Sequence, residues 1–263
     1  MKPYVAILAL VVGLCAHAKE VVLVSGFDPF GGARTNASWI VAEALAARFQ
    51  NDPNIEVHTC LLPTTYRGAY PKLKECYDRL PSAPVLVLSL GEGPCKLNLE
   101  TQVYNLDNNP GRLMGSSAPD NEGVRRTRRT IVAGAPFSVG LRINAAEAYC
   151  SLTPAERTET EISSTPGNFV CNNAAFQFTW NHPEVPFTFA HVTGQNCRNR
   201  LGKIEQNIAE LTTIIHQQVT AANQLPRSQM PHPSNTQRMP ISRDAINEQR
   251  SEASGCEADF WNC

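Results

Sequence analysis

The apolar positions of this chain form two kinds of pattern that alternate along its N-terminal part. Residues 21–25 and 84–90 are apolar almost throughout, as in strands that are buried on both faces of a sheet, and residues 56–62 form a further strand. After Asn36, a candidate N-cap, apolar residues recur at steps of three and four, which is the spacing of one helix face. A second helix is expected near 68–80. This alternation predicts an α/β fold, with a sheet that helices cover on both faces.

The rest of the chain continues the same alternation around one long loop. That loop, 107–123, is rich in Asn, Gly, Pro and Ser, and the strand before it contains Glu100, which either faces solvent or is buried with a partner. The four arginines of 125–129 are interpreted as a solvated surface turn. The remaining expected elements are a strand at 97–106, a helix near 143–152, strands near 158–163 and at 187–192, and a long helix at 201–222.

The two ends of the chain differ from its centre. Residues 1–18 combine a positive start, an apolar run too short to span a membrane, and small residues at Ala16 and Ala18. We therefore predict a signal peptide that is cleaved after Ala18, and a secreted or periplasmic protein; the alternative is a buried N-terminal strand. Residues 226–263 are polar, proline-rich and contain cysteines, so we expect a mobile or loosely stapled tail after a domain at 19–225.

Composition and charge indicate a globular protein and give no sign of binding to nucleic acid or to membranes. The chain has 263 residues, 42% of them hydrophobic and 18% charged, which suits one globular domain with a sizeable core. Because the net charge is −1, nothing indicates binding to nucleic acid or, once the signal peptide is removed, to a membrane surface.

Cysteine content agrees with export. Without Cys15, eight cysteines remain, and many cysteines in an exported chain indicate disulfides. Cys256 and Cys263 are close enough for a local staple, whereas the other pairings cannot be deduced from the sequence. If Cys171 stays free for chemistry, an odd number is left, so at least one more cysteine is free or paired between chains.

The candidate chemistry centres on Cys171. It follows a glycine turn and begins an apolar helix, where unpaired N–H groups and the helix dipole favour the thiolate, the nucleophilic form. His191 ends a buried strand that can pack beside this helix. Sites in α/β sheets lie beyond the C-terminal ends of strands, where Gly26-Phe27, Gly91-Glu92 and His191 are expected to converge. The alternative is that Cys171 is one buried thiol among several and His191 a hydrogen-bonded core histidine.

Several short blocks then carry a family resemblance. They resemble, in order, the opening signature, glutamate motif, loop signature, nucleophile motif and histidine motif of the pyroglutamyl peptidase I family of cysteine peptidases. Together they cover roughly residues 20 to 222. The blocks are Gly26–Gly32 with Asn36, Glu100 with Asn105, Pro119–Gly123, Gly167–Asn172 and Ala190–Val192.

The resemblance implies a single-domain three-layer α/β/α sandwich with a mixed, mainly parallel sheet. It also implies a Cys–His–Glu triad of Cys171, His191 and Glu100 without metal or cofactor, which removes an N-terminal pyroglutamyl residue from peptides. Cys171 would be the nucleophile, His191 the proton carrier and Glu100 the group that orients the imidazole. Oligomers known in the family make a homo-oligomer plausible. The lactam ring would lie in a slot lined by Phe27, Phe30, Phe169 and Val170.

The chain departs from the family at several positions. Glu92 stands where the family usually has glutamine, and a carboxylate only accepts hydrogen bonds, which would alter how the ring carbonyl is read. Pro94-Cys95-Lys96 replaces the usual glycine-glycine-arginine, and the signal peptide and tail are unusual. The alternative function is therefore an altered or inactive member that binds blocked peptide N-termini or hydrolyses a different small acyl substrate.

Overall fold

A computed structural model describes residues 18–107 and 118–224 of the chain. Residues 1–17 of the predicted signal peptide (1–18), the predicted tail at 226–263 and the proposed Cys256–Cys263 staple lie outside the described residues. In chain order, the elements are β1 (Glu20–Phe27), α1 (Ala37–Phe49), β2 (Ile55–Leu62), α2 (Ala69–Asp78), β3 (Leu86–Glu92), β4 (Leu97–Glu100), β5 (Gln102–Tyr104), β6 (Ser138–Gly140), α3 (Ala145–Cys150), α4 (Pro154–Arg157), β7 (Thr160–Ser163), α5 (Val170–Asn181), β8 (Phe187–Val192) and α6 (Arg200–Gln224).

One mixed sheet organises these elements. Its strand order is β2-β1-β3-β8-β4-β7, and every pairing is parallel except that between β4 and β8, which is antiparallel. β5 and β6 form a separate antiparallel pair. The mixed, mainly parallel sheet and single-domain α/β architecture predicted from the sequence are confirmed.

Helices cover both faces of the sheet. On one face α1, α3 and α6 pack with Val22, Leu88 and Ala190 into one apolar cluster, and on the other face α2 and α5 pack with Leu23, Val87 and Phe189 into a second. Neighbouring strand residues thus point to opposite clusters, which explains why the central strands are apolar without alternation. The result is the expected three-layer sandwich.

The strand predicted at 97–106 is the main error in the expected elements. The chain turns at Thr101, so β4 stays in the main sheet while β5 leaves it to pair with β6. The amide of Thr101 donates to Ser163, and its carbonyl accepts from the amide of Leu141. One predicted strand is therefore divided between two sheets, and the strands that pair with its two halves, β7, β8 and β6, lie far along the chain.

The described cysteines are largely oxidised. The disulfide between Cys60 and Cys76 joins β2 to α2. The disulfide between Cys95 and Cys197 joins the chain after β3 to the chain after β8. Cys150 is disulfide-bonded as well, and Cys171 is the free cysteine of the described residues. Among those residues no helix is both long and apolar enough to cross a membrane.

Candidate active site

The C-terminal ends of β1, β3 and β8 meet at one edge of the sheet, as expected for parallel neighbours. In the strand register Gly91 of β3 lies opposite His191 of β8, and Phe27 ends the adjacent β1. The start of α5 lies over this edge and brings Cys171 to it. The predicted convergence of these residues is confirmed.

Local backbone conformation sets the position of Cys171. Gly167 has φ +73°, a left-handed conformation that favours glycine, and Phe169 is the extended N-cap of α5. Cys171 is thus the second residue of a twelve-residue helix, within its first turn. Phe169 has no side-chain oxygen with which to cap the first N–H groups, so these groups and the helix dipole favour negative charge beside the thiol.

His191 lies between Cys171 and Glu100. Its Nε2 is 3.6 Å from Cys171 Sγ, and its Nδ1 is 2.9 Å from Glu100 Oε1. The antiparallel register pairs Asn98 with His191, which leaves Glu100 two residues further along β4 on the same face. Glu100 is only 1% exposed, so the sequence alternative of a buried glutamate with a partner is the one observed.

Electrostatics favour a charged imidazole here. Burial opposes the positive charge on His191, but hydrogen bonds to Cys171 and Glu100 and their charges outweigh burial and raise its pKa to about 10. The direction follows from two acceptors at the two ring nitrogens. The imidazole of His191 is therefore charged at neutral pH, and a charged imidazole beside a cysteine is an arrangement that activates such nucleophiles.

Two glycines that the sequence analysis did not single out as functional make room for this imidazole. A Cβ on Gly93 would lie 2.7 Å from the Cβ of His191, and one on Gly91 would lie 3.0 Å from its Cδ2. The first distance is shorter than real side chains show, and the second is so tight that the imidazole would have to shift by a few tenths of an ångström. The Gly91-Glu92-Gly93 spacing was visible at a strand end, but only the sheet register shows that it faces His191.

A cavity of about 380 Å³ opens in front of the thiol. Phe30 and Phe169 contact each other, with ring centroids 4.9 Å apart, and form one aromatic wall. All the residues predicted to bind substrate line this cavity, although Phe27 and Val170 are themselves nearly fully buried. The lining residues are Phe27, Phe30, Asn36, Thr64, Gly91, Glu92, Gly93, Pro94, Asn98, Glu100, Thr165, Pro166, Gly167, Asn168, Phe169, Val170, Cys171 and His191.

Comparison with known protein families decides the assignment. Residues 20–194 match the family described as pyroglutamyl peptidase, and this match covers well over half of the chain. The chain belongs to the pyroglutamyl peptidase family. The members of this family are cysteine-type omega peptidases.

Individual relatives agree with this membership. A pyrrolidone-carboxylate peptidase of Thermococcus kodakarensis is 31% identical over 160 residues, which are 59% of this chain and 70% of that protein. One of Gloeobacter violaceus is also 31% identical, over 59% of this chain and 71% of that protein. The solved pyrrolidone carboxyl peptidase from Thermococcus litoralis has the same fold, with a TM-score of 0.62 at 22% identity over 78% of this chain and 95% of that one.

Within this pyroglutamyl peptidase fold, Glu92 is engaged by the protein itself. Its Oε1 accepts from the Ala37 amide at 3.1 Å and from Arg200 at 2.9 Å, and its Oε2 accepts from Gln195 at 3.0 Å. The carboxylate lies at the N-terminus of α1, where negative charge is favoured. A glutamate suits this position because its carboxylate joins α1, α6 and the loop after β8, and both of its oxygens are already hydrogen-bonded within the protein.

The loop signature at Pro119–Gly123 braces the entrance of the cavity. Asp120 accepts from the amide of Tyr66, and Asn121 donates to Asp28 and to the carbonyl of Pro29. Asp28 also accepts from the amide of Thr64 at 2.7 Å. These contacts fix the turn that carries Phe30, which explains why loop and turn signatures occur together in this pyroglutamyl peptidase family member.

The arginine segment at 125–129 is only partly the solvated surface turn that was expected. Arg125, Arg128 and Arg129 are exposed as expected. Arg126 is not, because its guanidinium lies 4.4 Å from the centre of the Tyr66 ring and 2.5 Å from Asp107, whose side chain has no exposure. Burial raises the pKa of Asp107, and the hydrogen bond from Arg126 opposes that rise. Asp107 also accepts from Asn173 of α5, so this buried pair anchors the helix that carries Cys171.

Metal ligands do not gather at this site. Across residues 18–107 and 118–224, no group of three or more His, Cys, Asp or Glu side chains could hold a metal ion. The chemistry available at the cavity is that of a thiol, an imidazole and a carboxylate.

Proposed function

We propose that this protein is an exported cysteine peptidase that hydrolyses the N-terminal pyroglutamyl residue of peptides through Cys171, His191 and Glu100. The observation that carries the proposal is the chain of contacts from Sγ through the imidazole to a fully buried carboxylate, at the mouth of an aromatic cavity. Family membership supports the substrate class, since the relatives are named for pyroglutamyl and pyrrolidone-carboxylate peptidase activity.

Acylation begins with the thiolate of Cys171. Sγ attacks the carbonyl carbon of the pyroglutamyl residue, and the oxyanion that forms is stabilised by backbone N–H groups in the first turn of α5. The C–N bond then breaks while His191 gives its Nε2 proton to the leaving amine. The products of this step are the shortened peptide, a thioester on Cys171 and a neutral imidazole that keeps its Nδ1 proton towards Glu100.

Deacylation reverses the proton flow. His191 takes a proton from a water molecule, the hydroxide attacks the thioester carbonyl, and the C–S bond breaks to release pyroglutamate. The thiolate and the imidazolium are thereby restored. Throughout, Glu100 stabilises the charge that appears on His191 and holds the ring in one orientation, as the carboxylate of any such triad does.

The cavity supports a small, flat and uncharged acyl group. The aromatic wall of Phe30 and Phe169 suits the face of a five-membered ring, and Phe27 and Val170 add apolar surface beside it. An open-chain glutamate would bring a negative charge against this apolar wall, and no lysine or arginine is among the described residues that line the cavity. Recognition of the closed lactam is therefore favoured over the open side chain.

Export is supported by the N-terminal pattern and by cysteine oxidation. Residues 1–18 resemble a signal peptide, and the disulfides Cys60–Cys76 and Cys95–Cys197 belong to an oxidising compartment. Expression of the full chain in a bacterium tests this point. Protein recovered outside the cytoplasm should begin at Lys19, whereas recovery of protein with an intact Met1 from the cytoplasm would contradict export.

The reaction is tested with a fluorogenic amine coupled to pyroglutamate. Mature wild-type protein should release the amine, and Cys171→Ala should reduce the rate to background while the protein stays folded, because only one partly exposed sulfur is lost. Each protein is assayed with and without a thiol reductant. A requirement for reductant would mean that Cys171 is oxidised at rest.

Two outcomes would contradict the proposal. Hydrolysis by Cys171→Ala at the wild-type rate would exclude this thiol as the nucleophile. Absence of hydrolysis by folded, reduced wild type would favour a member that only binds blocked peptide ends or acts on another acyl group.

A further inference from the structure

Most polar side chains around the cavity are already bound within the protein. Asn36 accepts from and donates to neighbouring groups, Thr64 donates to the Asp28 carbonyl, and Thr165 pairs with Ser163. Glu92 is held by three donors, as described above. These groups therefore stabilise the walls and have little capacity left for a ligand.

Asn168 differs from the other polar residues of the described lining, because both polar atoms of its side chain lack a partner. It is 1% exposed, and neither its Oδ1 nor its Nδ2 has a hydrogen-bond partner among the described residues. Buried amides in proteins nearly always have partners, because an unpaired donor and acceptor lose their hydrogen bonds to water without replacement. At a cavity wall, an amide whose oxygen and nitrogen are both unpaired points to a hydrogen-bond partner that a bound ligand supplies.

The location of Asn168 indicates which part of a ligand it would meet. It lines the cavity and directly precedes Phe169, one of the two rings of the aromatic wall. It follows Gly167, whose left-handed backbone turns the chain into α5. Asn168 is thus a lining residue next to the ring wall, three positions before Cys171 in the chain.

We propose that Asn168 recognises the lactam edge of the pyroglutamyl ring and determines specificity for it. In a five-membered lactam the N–H and C=O are cis, so a donor and an acceptor stand side by side on one edge. The amide of Asn168 offers an acceptor and a donor in the same spacing, and two antiparallel hydrogen bonds can form. This inference rests on the proposed function, and it assigns to Asn168 a paired reading that Glu92 cannot supply, because a carboxylate has no donor for the lactam C=O.

Two ligands that differ only in the lactam edge test the proposal. Pyroglutamamide carries the N–H and C=O, whereas cyclopentanecarboxamide has the same ring size and neither group. Their dissociation constants are measured by calorimetry on Cys171→Ala protein, which cannot turn them over, with and without Asn168→Ala. The ratio of the two constants measures the preference for the lactam edge. The change in this ratio on replacing Asn168 measures the coupling between Asn168 and that edge, as in a double-mutant cycle.

We expect Cys171→Ala protein to prefer pyroglutamamide by roughly tenfold to a hundredfold, the size of the net gain from two hydrogen bonds between uncharged groups. Asn168→Ala should lose most of this preference while binding cyclopentanecarboxamide as before. Asn168→Asp, which keeps the shape and loses the donor, should lose it as well. An unchanged ratio in both Asn168 variants would overturn the proposal.

Asn98 provides the matched control. It lines the same cavity beside His191, and its Oδ1 is also buried without a partner in the described chain. Asn98→Ala should keep the ligand preference, and loss of the preference in this variant alone would overturn the assignment to Asn168. Failure of the proposed function is separately visible, because it appears as absent hydrolysis by wild type whatever the ratio of binding constants.

Discussion

Glu100 has no solvent contact through its side chain, and its Oε2 has no hydrogen-bond partner among the described residues. The hydrogen bond and the charge of Glu100 both help to raise the pKa of His191. A change at Glu100 should therefore appear as a change in the titration of His191.

Glu100→Gln tests this dependence. The amide keeps the shape and loses the charge that helps to raise the pKa of His191. We expect hydrolysis to slow by about tenfold to a thousandfold without disappearing, and the alkaline limb of the kcat/KM profile to move to lower pH. The sign follows because the imidazolium, needed to protonate the leaving amine, is lost as pH rises through the His191 pKa. An unchanged rate and limb would mean that Glu100 serves the fold alone.

The sequence could identify those residues whose chemical role is evident from their own type and position. Cys171 at a helix start and His191 at a strand end were recognisable by position, and the family motifs added Glu100. Asn168 lay within the nucleophile motif, but its unpaired amide could not be foreseen, nor could the close approach at Gly93, because both are properties of the surroundings. Arg126 was misread for the same reason, since its partners Asp107 and Tyr66 are distant in sequence.

At the scale of elements, the loop after β3 passes so close to His191 that Gly93 has no room for a side chain. Gly93→Ala would bring a Cβ to 2.7 Å from the His191 Cβ, so the loop or the imidazole must move. We expect a loss of activity of about a hundredfold or more with the fold retained, because displacement of the imidazole by a fraction of an ångström disturbs both of its hydrogen bonds.

Gly202→Ala is the control for this variant. Gly202 is exposed at the start of α6, and a new Cβ there would meet only the side chain of Asn199. Activity and circular dichroism of both variants are compared with wild type. Equal activity of Gly93→Ala and Gly202→Ala would show that the clearance at His191 is not needed.

Element boundaries were predicted well where one face of an element packs on the sheet. α1, β1, β3 and α5 follow directly from apolar spacing and from Asn36, whose Oδ1 accepts from the Ser38 amide at 3.0 Å. β5 and β6 were missed as a pair, since each is three residues long and the partner is supplied by the fold. The short helix α4, with its capping box from Thr153 to Glu156, was missed although its motif was present in the sequence.

At the scale of the whole molecule, a buried carboxyl group couples stability to pH. Glu210 of α6 is fully buried, and burial raises its pKa to about 7, partly opposed by a hydrogen bond from Asn207. As pH rises from about 4.5 the unfolded chain releases this proton while the folded chain keeps it until about pH 7. The free energy of unfolding should therefore fall across this window, by about 3 kcal/mol at most.

Glu210→Gln should remove this part of the pH dependence. The variant remains neutral at every pH and can still bond to Asn207, which in turn accepts from the amide of Thr193. Urea unfolding at pH 5 and pH 8 measures the difference in the free energy of unfolding between the two conditions. If wild type and Glu210→Gln show the same difference, Glu210 does not titrate in this range.

The Cys95–Cys197 disulfide should contribute more stability than Cys60–Cys76, because its ends are 102 residues apart in sequence and those of the other pair only 16. In the chain-entropy account the longer loop corresponds to about 4–5 kcal/mol and the shorter to about 3. Replacing both members of each pair by alanine, followed by urea unfolding, measures the two contributions. A larger loss for the Cys60/Cys76 double variant would contradict this ranking.

The Cys95–Cys197 bond also has a practical consequence for anyone who prepares this protein. A recombinant host with a reducing cytoplasm would deliver chains that lack the crosslink beside the histidine, and the additives that protect the nucleophile during purification would cut it. Specific activity would then vary between preparations with identical sequence and purity. The protein is better secreted into an oxidising compartment and then treated briefly with a mild reductant that is afterwards removed. This preparation would have a free Cys171 and would keep the Cys60–Cys76 and Cys95–Cys197 disulfides.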